Sequence, residues 1–265
     1  MTATAVTDAD RTRRYHAGRA ATVDAALPVI SVVCFAAIWE VVGRLELSPA
    51  VPPLSAVLGA MKGVFLDERF QEAAANTGIA VVVTFVPVVV FGTLIGAAMG
   101  SNRFVEWAGA PYLSLALSIP LVSLIPVFML VFGIGRATII AVIVAYALPP
   151  VIVNTQAGIE SVDRDQLDMA RAFGASRTLA FRRVVLPSAS ALILAGVRIA
   201  AGRAIKGAII AEQVIGLVGL GGLIQRYGGA FAVEDLYALV LFIGVVGILV
   251  VRFIGLAERR FAMAR

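Results

Sequence analysis

The chain has 265 residues, of which 60% are hydrophobic and 15% charged, with a mean hydropathy of +0.94 and a formal net charge of +5. A soluble domain carries roughly 25% charged and 45–50% apolar residues, so this composition points to a bilayer as solvent. One histidine (His16) and one cysteine (Cys34) leave no His/Cys metal cluster and no intrachain disulfide to propose, and in a membrane chain a positive balance speaks to orientation rather than to nucleic acid.

Residues 1–24 are polar and carry Arg11, Arg13, Arg14 and Arg19. A signal peptide would place its apolar core sooner, so this stretch reads as a cytoplasmic N-terminal tail before a membrane domain over 25–265. About 20 apolar residues in a helix span the hydrocarbon core. Six stretches meet that length, at about 25–43, 77–100, 107–132, 137–157, 189–211 and 235–256. The first ends near Trp39, a residue suited to an interface, and holds Cys34, which reads as an inert buried thiol. Residues 44–76 are too polar to cross, and "SAVLGAMKGVF" within them predicts a short helix on the outer surface.

The third stretch, "AGAPYLSLALSIPLVSLIPVFMLVF", carries Pro111, Pro120 and Pro126 together with Ser114, Ser118 and Ser123. Such residues inside a span predict kinks, helix contacts or a lining rather than a plain lipid anchor. If the N-terminus is cytoplasmic, six crossings put fourteen Lys/Arg residues on the inside and five on the outside, with three inside the fifth span. That bias favours both termini inside. Five crossings would move the C-terminal arginines outside and lose it.

Between the fourth and fifth spans, about 159–187, the chain is polar enough to leave the membrane. Leu167, Ala170, Ala172 and Phe173 are spaced for one apolar helix face, and Gly174 suits a helix end. A second short helix follows with Leu179, Phe181, Val184 and Val185 among Arg177, Arg182 and Arg183, and Pro187 opens the next span. An apolar face in water needs a cover. A lipid surface with the arginines at phosphates is one cover and a protein partner is another.

The fifth span contains Arg198, Arg203 and Lys206. With Arg198 at zero, Arg203 falls at about 140° and Lys206 at about 80°, so the three share one broad face. Intramembrane cations face a bundle interior or a water-filled cavity, which makes an anion pathway one reading. Snorkelling of Arg198 to the surface and pairing of Arg203 with Glu212 is the other. Glu212 and Gln213 follow at the outer end, placed to gate or offset the charge, and Tyr146 and Ser118 are further candidates for contact with a solute. Beyond them, Gly216 to Phe231 ("GLVGLGGLIQRYGGAF") is rich in glycine. It lacks the Gly-Lys-Ser/Thr ending of a phosphate loop and follows no strand, so a backbone that bends into a pore mouth is the better reading.

The spacing Asp168-Met169-Ala170, three residues, Gly174, nine residues, Val184-x-Leu186-Pro187 resembles the signature loop of ABC importer permease subunits, Glu-Ala-Ala-x3-Gly-x9-Ile-x-Leu-Pro. Asp168, Met169 and Val184 depart from it, whereas Gly174, Leu186 and Pro187 match. "WEVVGRLELSPAVPPLSAV", "IPLVSLIPVFMLVFGIG", "NTQAG" and "GLGGLI" resemble the branch that imports nitrate, taurine, alkanesulfonates, bicarbonate, aromatic acids and thiamine precursors. The resemblance implies an all-α membrane protein of six transmembrane helices, type I importer-like, with a coupling helix between spans four and five. It implies that Asp168, Ala170, Phe173, Gly174, Ala175, Arg177, Leu186 and Pro187 meet a partner ATPase. It further implies a bacterial inner-membrane location, a homodimer, two ATPase subunits that bind ATP and Mg, and an extracytoplasmic binding protein. The chain itself carries no nucleotide motif and no nucleophile with a paired base, so it reads as a pathway subunit with no cofactor and not as an enzyme. The Arg that relatives often carry three residues before the first Pro of the third-span motif is Leu117 here, and "NTGIAVVVTFVP" lacks their second-span Arg. An anionic solute and a neutral heterocycle therefore both stay open. An ion-coupled secondary transporter would be expected to place acidic residues inside its spans, and Glu40 and Glu212 both lie near outer ends.

Overall fold

The computed structural model describes residues 27–216 and 219–263, with 257–263 as backbone alone. The tail over 1–24 and the first two residues of the first span lie outside the described residues. Where described, the chain forms helices and no strand, as expected of a backbone that must satisfy its own hydrogen bonds in lipid. The elements are α1 (Leu27–Arg44), α2 (Leu54–Leu66), α3 (Glu68–Ser101), α4 (Arg103–Ser118), α5 (Leu121–Phe132) and α6 (Arg136–Glu160). There follow α7 (Arg164–Ala172), α8 (Arg177–Ala180), a π-turn (Phe181–Val185), α9 (Leu186–Ile215), α10 (Leu220–Gly229) and α11 (Val233–Met263).

The centre is α6, packed between α3 and α9. Apolar side chains gain little by leaving lipid for protein, so close backbone approach through small residues must hold the helices together. Gly92, Gly96 and Gly100 recur every four residues along α3 and face α6. A Cβ at Gly96 would lie 2.6 Å from the Ile152 carbonyl oxygen. Along α9 the buried face is Ala189, Ile193, Gly196, Ala200, Ala204, Gly207 and Ala211. These are spaced by three or four residues throughout, so one stripe stays against α6. A Cβ at Gly196 would lie 2.7 Å from the Cβ of Asn154. Around this contact Val88, Ile125, Val142, Ile143 and Val151 form the main core.

A second cluster joins Val57 and Val64 of α2, Phe70 of α3, Leu220 and Leu223 of α10 and Leu239 of α11. The surface helix expected within 44–76 is therefore α2, and it is anchored in a core rather than only resting on the bilayer. By contrast α1 is exposed along most of its length and is tied down only near its end. There the Trp39 indole N–H donates to the Pro52 carbonyl at 3.0 Å, and the amide of Ser55 donates to Glu40 at 2.9 Å. Cys34 is exposed on this helix, not buried, because none of the described residues covers it.

The third predicted span is two helices, α4 and α5, that meet at a bend of 106°. Of its three prolines only Pro120 breaks the path. Ile119 before it is extended (φ −74°, ψ 131°), the conformation that a following proline ring enforces. Pro111 and Pro126 stay inside their helices. The pair still crosses the molecule. It leaves α3 beside Gly100, which abuts Gln156 near the end of α6, and it delivers the chain to Arg136. Arg136 donates to Asn76, near the opposite end of α3, at 2.9 Å. A re-entrant loop would return to the end it left, so α4–α5 is the bent sixth span.

Candidate functional site

Asp163 caps α7, its carboxylate accepting from the Asp165 amide at 3.0 Å. Gly174, at φ +79°, ends the helix in the left-handed region that favours glycine. The amide of Ala175 donates to the Ala170 carbonyl at 3.0 Å, and that of Gly174 to the Arg171 carbonyl at 2.9 Å, the two bonds of a Schellman ending. Ser176 then caps α8 by accepting from the Leu179 amide at 3.3 Å. Pro187 cannot donate, and its ring would crowd the carbonyl four residues back. The turn before it widens into a π-turn, with the Leu186 amide donating to Phe181, so the chain runs unbroken from Arg177 to Ile215. That run is a rod of about 60 Å.

The apolar residues of the hairpin, those expected on its helix faces together with Met169, divide into two sets. Leu167, Phe181, Val184 and Val185 pack inward against Ile159, Val162, Ala189 and Ile193. Met169, Phe173 and Leu179 point out, and Phe173 is 85% exposed. Ala170 and Ala175 are half-buried in the turn, and Arg177, Arg182 and Arg183 are exposed beside the outward set. Asp168 pairs with Arg171 at 3.0 Å on the surface. Leu186 is partly exposed and Pro187 half-buried where the hairpin joins α9. A cleft of about 330 Å³ lies between the hairpin and the adjoining ends of α3 and α6, lined by Gly100, Ile159, Leu167, Arg171 and Arg177.

The structure separates the three cations of α9. Arg203 and Lys206 are exposed on the face that also presents Ile199 and Val214, away from α6. Arg198 is half-buried and turned toward α11, where a Cβ on Gly255 would lie 3.5 Å from its Cδ. Tyr146 is half-buried on α6 against Gly207, one turn along α9 from Arg203. Ser118, at the end of α4, donates its hydroxyl to the Ser114 carbonyl at 2.8 Å. Gln213 is half-buried, and its carbonyl accepts from the Gln225 side chain at 3.4 Å.

Glu212 is 1% exposed. Its carboxylate accepts the Thr77 hydroxyl of α3 at 2.8 and 2.9 Å and the Gly221 amide of α10 at 3.0 Å. Thr77 in turn accepts from the Leu220 amide at 3.0 Å. Leu220 and Gly221 open α10, where amides have no partner within the helix and an acidic group is favoured. The glycines are explained by space: a Cβ at Gly219 would lie 2.3 Å from the Glu212 Cδ, and one at Gly221 2.3 Å from the Ile209 carbonyl oxygen. The glycine-rich run thus cradles a carboxyl group, and that carboxyl is the chain's own. Thr77 was not singled out in the sequence. It is one of three threonines in an apolar stretch, with Thr84 and Thr93, and nothing in the sequence sets it apart from them.

The arrangement joins an exposed, partly apolar tip to a long helix that presents two exposed cations midway along its length, and clamps a short helix across the far end of that helix. Residues 73–263 match the family model described as the binding-protein-dependent transport system inner membrane component. The chain is similar to the nitrate import permease protein of Synechocystis (25% identical, covering 87% of each chain) and to the formylaminopyrimidine transport permease protein of Halalkalibacterium halodurans (29% identical, 84% of this chain and 89% of that one). Its fold is similar to that of an amino acid ABC transporter crystal structure, with a TM-score of 0.61 and 20% identity over 72% of this chain and 94% of that one.

Proposed function

The chain belongs to the family of binding-protein-dependent transport inner membrane components and is a permease subunit of an ABC importer; from that premise we propose how its parts divide the work. Two copies form the pathway, with two ATPase subunits on the hairpin side and a binding protein on the other. ATP and Mg bind to the ATPases. Both termini lie in the cytoplasm, in keeping with the arginine bias read from the sequence.

The observation that carries this reading is the outward set Met169, Phe173 and Leu179, on one hairpin with the exposed Arg177, Arg182 and Arg183, at the base of an unbroken helix from Arg177 to Ile215. An apolar anchor within a polar rim is the pattern of a protein interface. A push on the tip is carried along the rod to Arg203 and Lys206. In a symmetric pair these give four positive charges, a favourable lining for a small anion such as a sulfonate, taurine, nitrate or an aromatic acid. Asp168, Ala170, Gly174, Ala175, Leu186 and Pro187 shape the tip and its junction with α9. A neutral heterocycle is the second reading, favoured by the similarity to the formylaminopyrimidine permease.

The test is uptake by proteoliposomes that hold the permease with its co-purified ATPase and binding protein. ATP-dependent uptake is expected only with all three. Lys206→Gln is expected to slow uptake of an anion by about tenfold, the scale of one lost charge-assisted hydrogen bond, and to leave a neutral solute unchanged. A permease that purifies without an ATPase and transports without ATP contradicts the reading.

A further inference from the structure

Glu212 ties three elements together at the end of the molecule opposite the hairpin. Through Thr77 it holds α3, through the Gly221 amide it holds α10, and it is itself part of α9. The Leu220 amide reaches the same knot through Thr77. No Lys or Arg pairs with its carboxylate among the described residues; its oxygens are met by a hydroxyl and a helix-end amide. The two glycines leave room for nothing larger beside it. Leu223, one turn further along α10, is buried in a cluster with residues of α2, α3, α9 and α11, against which α10 must stay packed to keep it covered.

We propose that Glu212 is a positioning residue for transport: it makes α10 a cap that stays fixed to α3 and α9 over the end of the pathway distant from the ATPases. This rests on the permease reading above for its role in transport, though not for its geometry. When α9 is moved by its hairpin end, α10 travels with it and with α3 as one unit. Without the knot α10 is held to α9 by the Gln225–Gln213 bond at 3.4 Å and otherwise by apolar contacts, which have little preference for protein over lipid. The end of the pathway then opens independently of the hairpin. ATP hydrolysis continues and transport fails.

Glu212→Leu keeps the approximate size of the side chain and removes both acceptor oxygens, leaving the Thr77 hydroxyl and the Gly221 amide without their partner. Thr77→Val removes the hydroxyl, and Thr77→Ser keeps it. Each variant is made in a Cys34→Ser chain with a reporter, Leu223→Cys, and is embedded in lipid nanodiscs and exposed to a small maleimide. Leaving a buried partner unsatisfied costs enough to raise local opening by about tenfold. Labelling at 223 is therefore expected to rise by about tenfold in Glu212→Leu and Thr77→Val and to stay within about twofold in Thr77→Ser. A second reporter, Val142→Cys in the α6 core, is expected to label no faster in any variant. In the assembled importer, uptake is expected to fall about tenfold while ATPase activity remains. Parent-like labelling at 223 in both disruptive variants overturns the proposal, as does equal acceleration at 142, which marks general loosening. Labelling needs neither ATPase nor nucleotide, so this result stands apart from the co-purification that tests the permease reading.

Discussion

Glycine serves opposite purposes at the hairpin and at the start of α10, which lies beyond the left-handed Gly216 (φ +70°) that ends α9. At the hairpin end Gly174 sits at φ +79° with nothing within 4 Å of the place a Cβ would occupy. At the far end Gly219 and Gly221 have conformations open to any residue, and what they supply is space, filled by Glu212 and by the Ile209 carbonyl. One turn is shaped and left open, as a surface awaiting a partner must be. The other is shaped and closed on itself. The same residue type thus marks a docking tip at one end and an internal clamp at the other.

The contrast is broken most sharply by adding one carbon at the closed end. A Cβ at Gly221 meets backbone at 2.3 Å, and backbone cannot give way as a side-chain tip can. Overpacking of this kind costs about 1–3 kcal/mol. Gly221→Ala is expected to lower the melting temperature of the detergent-solubilised protein by about 5–10 °C, read by intrinsic fluorescence or calorimetry.

At the open end the cost is conformational. Gly174→Val forces a β-branched residue into the left-handed region at about 1–2 kcal/mol, and Gly174→Asn at less. The melting temperature is expected to fall by less than in Gly221→Ala, whereas substrate-stimulated ATPase activity falls in Val and partly recovers in Asn. If stimulated ATPase is unchanged in Gly174→Val, the geometry of this turn has no part in coupling.

The sequence announces the parts of this molecule that depend on composition and on short-range geometry. Five of the six spans come from apolar run length, although α3 starts nine residues before the predicted edge because Glu68, Arg69 and Gln71 are polar at the end of a long helix. The bend at Gly174 follows from glycine after an apolar face. The break inside the third span could not be assigned to one of three prolines, since that depends on whether neighbouring helices hold the backbone straight. The hairpin's apolar residues were legible as a set, but their division into inward Phe181 and outward Phe173 depends on contacts with α3, α6 and α9. The partners of Glu212 lie 135 residues away in Thr77 and nine away in Gly221. A contact of the first kind has no periodicity to betray it. Helical angle alone also placed Arg198 with Arg203 and Lys206, whereas packing against α11 turns it aside.

The smallest effect on stability and the most direct reading of function meet at Phe173. It is 85% exposed, so its ring holds nothing in the isolated subunit, and Phe173→Ala is expected to leave the melting temperature within about 1 °C of the parent. If the tip is the site where an ATPase grips the permease, removing that ring deletes an aromatic anchor, which is commonly worth about 2 kcal/mol or more. The decisive measurement is therefore the affinity of the ATPase subunit for nanodisc-embedded permease, parent against Phe173→Ala. The account predicts weakening by about tenfold or more at unchanged melting temperature. Equal affinity for the two would contradict it.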